Sequence, residues 1–153
     1  MILLKSYFRR LVAVCLLVLL GLSSSFAQRK EAEVTADGSM KQVIRNGQKV
    51  ILYIHNVKIL YEGAQMDCDS AYLTNKQTIV EAFGRVVMTK DDVKLYGDYL
   101  YYDGNTSIGN ITGKEVKLVQ KDATLTTDIL HFNTKSNSAY YNTGGFLRNS
   151  QDT

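Results

Sequence analysis

The stretch VKLYGDYLYYDGN, residues 93–105, decides the fold. Before Asp98 its inner apolar residues, Val93 and Leu95, are odd-numbered; after it, Leu100 and Tyr102 are even-numbered. A strand turns alternate residues to one face, so a change of phase demands a bulge or a bend. Asp98 therefore marks a corner. Asp103-Gly104-Asn105 then ends the run with residues that tolerate positive φ at a hairpin turn.

Outward from this stretch the pattern repeats. Asn56–Gly84, Arg85–Gly113 and Lys114–Gly144 align as units of 29, 29 and 31 residues. Asp69, Asp98 and Asp128 coincide, and Leu73, Tyr102 and Phe132 follow each of them by four residues. Each unit ends in glycine: Gly84, Gly113 and Gly144. The phase break recurs in the third unit, with Leu125 before Asp128 and Leu130 and Phe132 after it. Residues 43–55 read as the second half of a preceding unit, and 146–153 as the opening of a following one.

Turn signals punctuate the chain at Asn46-Gly47, Glu62-Gly63, Thr74–Lys76, Lys90–Asp92, Asp103–Asn105 and Lys135–Asn137. The runs between them span four to seven residues rich in Val, Ile, Leu, Tyr and Thr, and no segment keeps a helical period for three turns. The expectation is an all-β domain of ten to twelve short strands over residues 41–153. Its units, bent at their corners and stacked by sheet hydrogen bonds, form a solenoid or an open, curved β-jelly-roll with a continuous apolar interior.

The first 27 residues read as an address. Lys5, Arg9 and Arg10 precede an apolar run of 12 residues, Leu11–Leu22, and Ser23–Ala27 supplies small residues for a cut after Ala27. That is the plan of a secretory signal peptide. As a helix the run rises only about 18 Å, short of the roughly 30 Å hydrocarbon core of a membrane. The protein is therefore expected to be exported. Residues 28–40, polar and without clear period, read as a flexible lead-in.

The formal charge of +3 belongs to the leader. Beyond residue 27 the chain carries 15 basic and 15 acidic residues, so no broad basic field exists to drive nucleic-acid binding. One cysteine remains after the leader, Cys68, which allows no internal disulfide and reads as a small buried thiol. His55, His131 and Cys68 lie too far apart in sequence for a metal cluster. Two rungs of sheet put the repeated aspartates roughly 10 Å apart, too far to share a proton. No nucleophile recurs beside them, so they read as acceptors for backbone N–H groups at the corners. The glycines open no helix, which removes dinucleotide binding. No catalytic residue or cofactor is expected.

The informative feature is the apolar stripe. Val57, Ile59, Met66, Val86, Met88, Val93, Leu95, Leu100, Tyr102, Val116, Leu118, Leu125, Leu130 and Phe132 are expected to face one interior. In a closed solenoid they are ordinary core; in an open one they form a binding groove. Period alone does not choose between the two. The tyrosines, Tyr99, Tyr101, Tyr102, Tyr140 and Tyr141 among them, fit cross-strand packing, and a glycan-binding or adhesin module is the alternative reading.

On these residues the chain resembles the OstA-like family of lipopolysaccharide-transport periplasmic proteins, the LptA type, in a form like that of Bacteroidetes bacteria. The carrying motifs are CDSAYL (68–73), EAFGRVVM (81–88), LYGDYLYYDGNT (95–106), LTTDILHFNT (125–134) and AYYNTGG (139–145). The resemblance implies a V-shaped β-jelly-roll open along one side, with the acyl chains of lipid A lying against the stripe. It also implies a periplasmic location, related transport proteins as partners, and end-to-end docking of edge strands. Three departures stand out. Asn56 replaces an expected glycine, Arg85 follows Gly84 where asparagine is usual, and the third unit has an extra residue near Lys114-Glu115. Thr153 falls where a further strand is expected to begin, which reads as a truncated member or one module of a longer protein.

Overall fold

In the computed structural model, residues 32–74 and 78–149 are described; the signal-peptide reading of residues 1–27 lies outside them. Across the described residues ten antiparallel strands form a single open sheet. They are β1 (Glu33–Thr35), β2 (Met40–Arg45), β3 (Gln48–Tyr61), β4 (Ala64–Thr74), β5 (Ile79–Lys90), β6 (Val93–Asp103), β7 (Ile108–Gln120), β8 (Ala123–Asn133), β9 (Ser138–Tyr140) and β10 (Gly145–Asn149). No helix occurs among the described residues.

Hairpin turns form where the chain takes positive φ, with side chains as large as Glu62 and Lys121 among them. Asn46-Gly47 and Glu62-Gly63 take positive φ at both positions, as a two-residue hairpin turn with the right twist requires. Six of the strands, β3 to β8, run 11 to 14 residues, which corrects the expectation of runs of four to seven. The corner does not interrupt a strand. The long strands run through it past a bulge in the ladder, and pairing resumes on the far side.

The bulges explain the change of phase. His55-Asn56 on β3 and Gly84-Arg85 on β5 are extra residues, all at positive φ, opposite the single Asp69 or Asp98 of the neighbouring strand. On β7 three residues, Gly113 to Glu115, stand opposite Asp128, and that is where the extra residue of the third unit goes. Odd strands thus carry the surplus and even strands carry the aspartate. Two walls result, meeting at the line of corners. One holds the second half of β3, β5 and β7 with the first half of β4, β6 and β8; the other holds the remaining halves.

Neighbours in the ladder share a face, so inner residues of one strand meet inner residues of the next. Leu73 is fully buried further out on β4, and Val57, Val86, Leu100, Ile111, Val116 and Leu130 are fully buried along the corner. Gly97 makes room there: a Cβ at this position would lie 2.5 Å from Ile111 Cγ1.

The two end passes are broken at the corner rather than bulged. β1 and β2 pair with the two halves of β3, while β10 and β9 pair with the two halves of β8. The flexible lead-in is therefore corrected from Ala32 onward. Glu33 pairs with Leu60, Ala32 is buried, and Val34 and Ala36 pack on the core. The signal was an Ala-x-Val-x-Ala alternation, which a polar average conceals.

Candidate functional site

The fourteen residues of the expected stripe lie on the inner faces of the two walls. Val57, Ile59, Met66, Val86, Met88, Leu95, Leu100, Tyr102, Val116, Leu130 and Phe132 are buried; Val93, Leu118 and Leu125 are half-buried. The stripe divides by depth. The residues nearest the corner are closed core, packed side chain on side chain. Towards the hairpin tips the walls diverge and leave a cavity of about 510 Å³. Met88, Val93, Leu95, Leu118, Leu130 and Phe132 supply its apolar lining, and Lys90, Asp91, Asp92 and Lys121 stand at its rim.

Several core residues lay outside that stripe: Tyr53, Cys68, Ala71, Leu73, Val80, Ala82 and Ile111 are all buried. The repeat held the signal for most of them. Ala71 occupies the unit position of Leu100 and Leu130, and Ala82 that of Ile111.

On the side of β3 and β4 the walls are joined across the mouth. Lys90 Nζ donates to the Thr134 carbonyl at 3.3 Å. Tyr102 Oη and Thr134 Oγ1 share a hydrogen bond of 2.9 Å. The Tyr102 ring stacks on Phe132 at 6.1 Å between centroids and meets Tyr61 edge-on at 6.2 Å. Behind this join lies a second, small cavity of about 30 Å³, lined by Ile59, Tyr61, Ala64, Met66, Val80 and Met88 among others.

The corner aspartates do not converge on one site. Asp98 Oδ2 accepts the backbone N–H of Lys114 at 3.0 Å, the bond expected of a corner acceptor. Asp69 takes a side chain instead: Arg85 Nε donates to its Oδ1 at 2.8 Å, and a second guanidinium nitrogen, Nη2, pairs with it as well. That is the consequence of arginine after Gly84. Asp128 is exposed, and the third corner is tied by its neighbour, with Thr127 Oγ1 donating to the Gly144 carbonyl at 2.6 Å. Among the described residues no group of three or more His, Cys, Asp or Glu is placed to hold a metal ion.

Cys68 is buried, and desolvation with the nearby Asp69 and Asp67 pushes its thiol up to about 11. Its Sγ–H donates to the Ser70 carbonyl at 3.3 Å. A thiol held protonated in this way is a poor nucleophile.

The outer face of the second wall carries aromatics packed on one another. Phe83 lies between Tyr72 and Tyr99, with centroids at 5.8 and 5.1 Å. The Arg45 guanidinium sits 4.6 Å over the Tyr72 ring and pairs with Glu81 at 2.8 Å. Burial and the Glu81 carboxylate raise the Tyr99 phenol above its ordinary pKa. These rings spend their faces on each other, as cross-strand packing predicts.

Among solved structures the chain is similar to LptH of Pseudomonas aeruginosa, described as the LptA-homologous periplasmic component of the lipopolysaccharide transport device. The TM-score is 0.65 at 15% identity, covering 78% of this chain and 96% of LptH. At that identity the likeness is one of fold: the β-jelly-roll left open along one side. A comparison with curated proteins finds no match. The sequence profile of OstA-like proteins matches residues 31–153, all the strands described above, and the chain belongs to that family.

Proposed function

We propose that the protein is a periplasmic component of lipopolysaccharide transport, and that its inner face shelters lipid A acyl chains on the way to the outer membrane. The observation that carries the reading is a coincidence of two findings. The OstA-like match spans the whole sheet, and the inner face of that sheet opens into an apolar cavity of about 510 Å³. That volume falls in the range of pockets that hold small ligands.

The energetics favour a sheltered path. Burying one CH₂ is worth about 0.8 kcal/mol, so a 12-carbon chain gains on the order of 9 kcal/mol on leaving water. A membrane shelters the chain about as well. Transfer into the groove is thus nearly level, and net direction has to come from an energy-coupled partner.

The ends of the sheet support end-to-end docking with a second copy or with related transport proteins. Among the described residues β10 and β9 at one end and β1 and β2 at the other have no strand on their outer side, as an added strand requires. Met40, Ile44, Phe146 and Leu147 expose apolar side chains there.

The test is lipid content. The protein, expressed with its leader in a lipopolysaccharide-producing bacterium, is purified without detergent and assayed for bound lipid A by mass spectrometry. The reading predicts lipid A on the wild type and its loss from folded Leu118→Arg. A folded wild-type protein without lipid overturns it.

A further inference from the structure

Resting on the acyl-chain reading, we infer that the groove is partitioned, and that an acyl chain occupies only the compartment between β5 and β8 unless the Lys90–Thr134 strap is displaced. The two cavities share three lining residues: Met88, Lys90 and Thr134. Those residues are the boundary. From one wall come the Met88 side chain and the Lys90 stem. From the other come Thr134, which accepts the Lys90 ammonium at 3.3 Å, and Tyr102, bonded to Thr134 at 2.9 Å and stacked on Phe132.

The compartments differ in what they can hold. The cavity of about 30 Å³ on the β3–β4 side has room for about one or two waters. An alkyl chain does not fit beside Ile59, Met66 and Val80 as they stand. The cavity of about 510 Å³ does admit one. It is lined along the groove from Met88 on β5, through Leu95 on β6 and Leu118 on β7, to Leu130 on β8. Three strand spacings make about 14 Å, and an extended chain advances about 1.2 Å per bond, so the compartment matches about twelve carbons.

Among the described residues the far end of this compartment is open. The inner row passes from Leu118 to Leu125 and on to Leu147 of β10, which is exposed. Entry from the β10 side therefore needs no rearrangement, whereas passage towards β1 requires the strap to part. Lys90 thus sets how far a chain penetrates.

A fatty acid of about twelve carbons, the length derived above, with a diazirine at its terminal carbon, reads this directly. It is photolysed with the purified protein, and adducts are mapped by peptide mass spectrometry. In the wild type adducts are expected at Leu95, Leu118 and Phe132, with none at Ile59, Met66 or Val80. In Lys90→Ala adducts at Ile59, Met66 or Val80 should appear. Lys90→Thr, also too short to cross the mouth but well suited to a strand, should behave alike and replaces Lys90→Ala if that variant fails to fold. Wild-type adducts on both sides, or none beyond the boundary in a folded Lys90 variant, overturn the partition and leave the acyl-chain reading standing. No groove adduct in any of the proteins overturns both.

Discussion

Leu100 and Leu147 are the same side chain in the same setting, the inner row of a strand, and they meet opposite fates. Leu100 lies between Ala82 of β5 and Ile111 of β7 and is 0% exposed. Leu147 has Leu125 of β8 on one side and, among the described residues, no strand on the other, and is 66% exposed. The inward direction is set by the repeat, but burial is set by having a rung on both sides. A stack of this kind is held together by nearest neighbours, so its ends carry an apolar surface that only a further rung can cover.

Truncation sharpens that contrast most. Leu100→Ala removes packing that cannot collapse and is expected to cost about 2–5 kcal/mol in urea unfolding. Leu147→Ala should change the same measurement by less than about 0.5 kcal/mol. Equal losses would mean that the terminal rung is packed as tightly as the middle. Overfilling the corner comes next. Gly97→Ala puts a Cβ 2.5 Å from Ile111 Cγ1, and overpacking of this kind costs about 1–3 kcal/mol.

Cys68 compares the core with solvent by titration. Its folded pKa of about 11 stands above the ordinary thiol value of 9.0, so the protonated thiol is the form the fold accepts. Its contribution to stability is fully present below pH 9.0. It is lost as pH rises towards 11, because the unfolded thiol ionises first. A thiol reagent at neutral pH should label Cys68 only after denaturant is added; rapid labelling of the folded protein would contradict its burial. The smallest effect is expected at the first corner. Arg85 is fully exposed, so Arg85→Ala should barely move the unfolding midpoint, and any shift should shrink with added salt.

Much of this arrangement was legible because it is local. The odd-to-even switch of Leu95 and Leu100 about Asp98 marks the corner without any knowledge of what lies across it. The length of the strands was not legible, since a bulge and a strand end look alike in a pattern of apolar residues. His55-Asn56 and Gly84-Arg85 bend a strand without ending it. Ala71 and Ala82 escaped because alanine is a weak apolar signal, although both are buried where their repeat partners are larger. The partition had no sequence signature at all. Lys90 and Thr134 are 44 residues apart, each within or beside a turn signal, and they meet only because the two walls face each other across the groove.

If the inner face is the working surface, two adjacent residues of β7 must differ in what they touch. Leu118 points to the groove and Val119 to the outside. A photo-crosslinking amino acid replaces each in turn, in cells making lipopolysaccharide. An adduct with lipopolysaccharide at 118 and none at 119 is the predicted result; equal adducts at both, or an adduct at 119 alone, would contradict it.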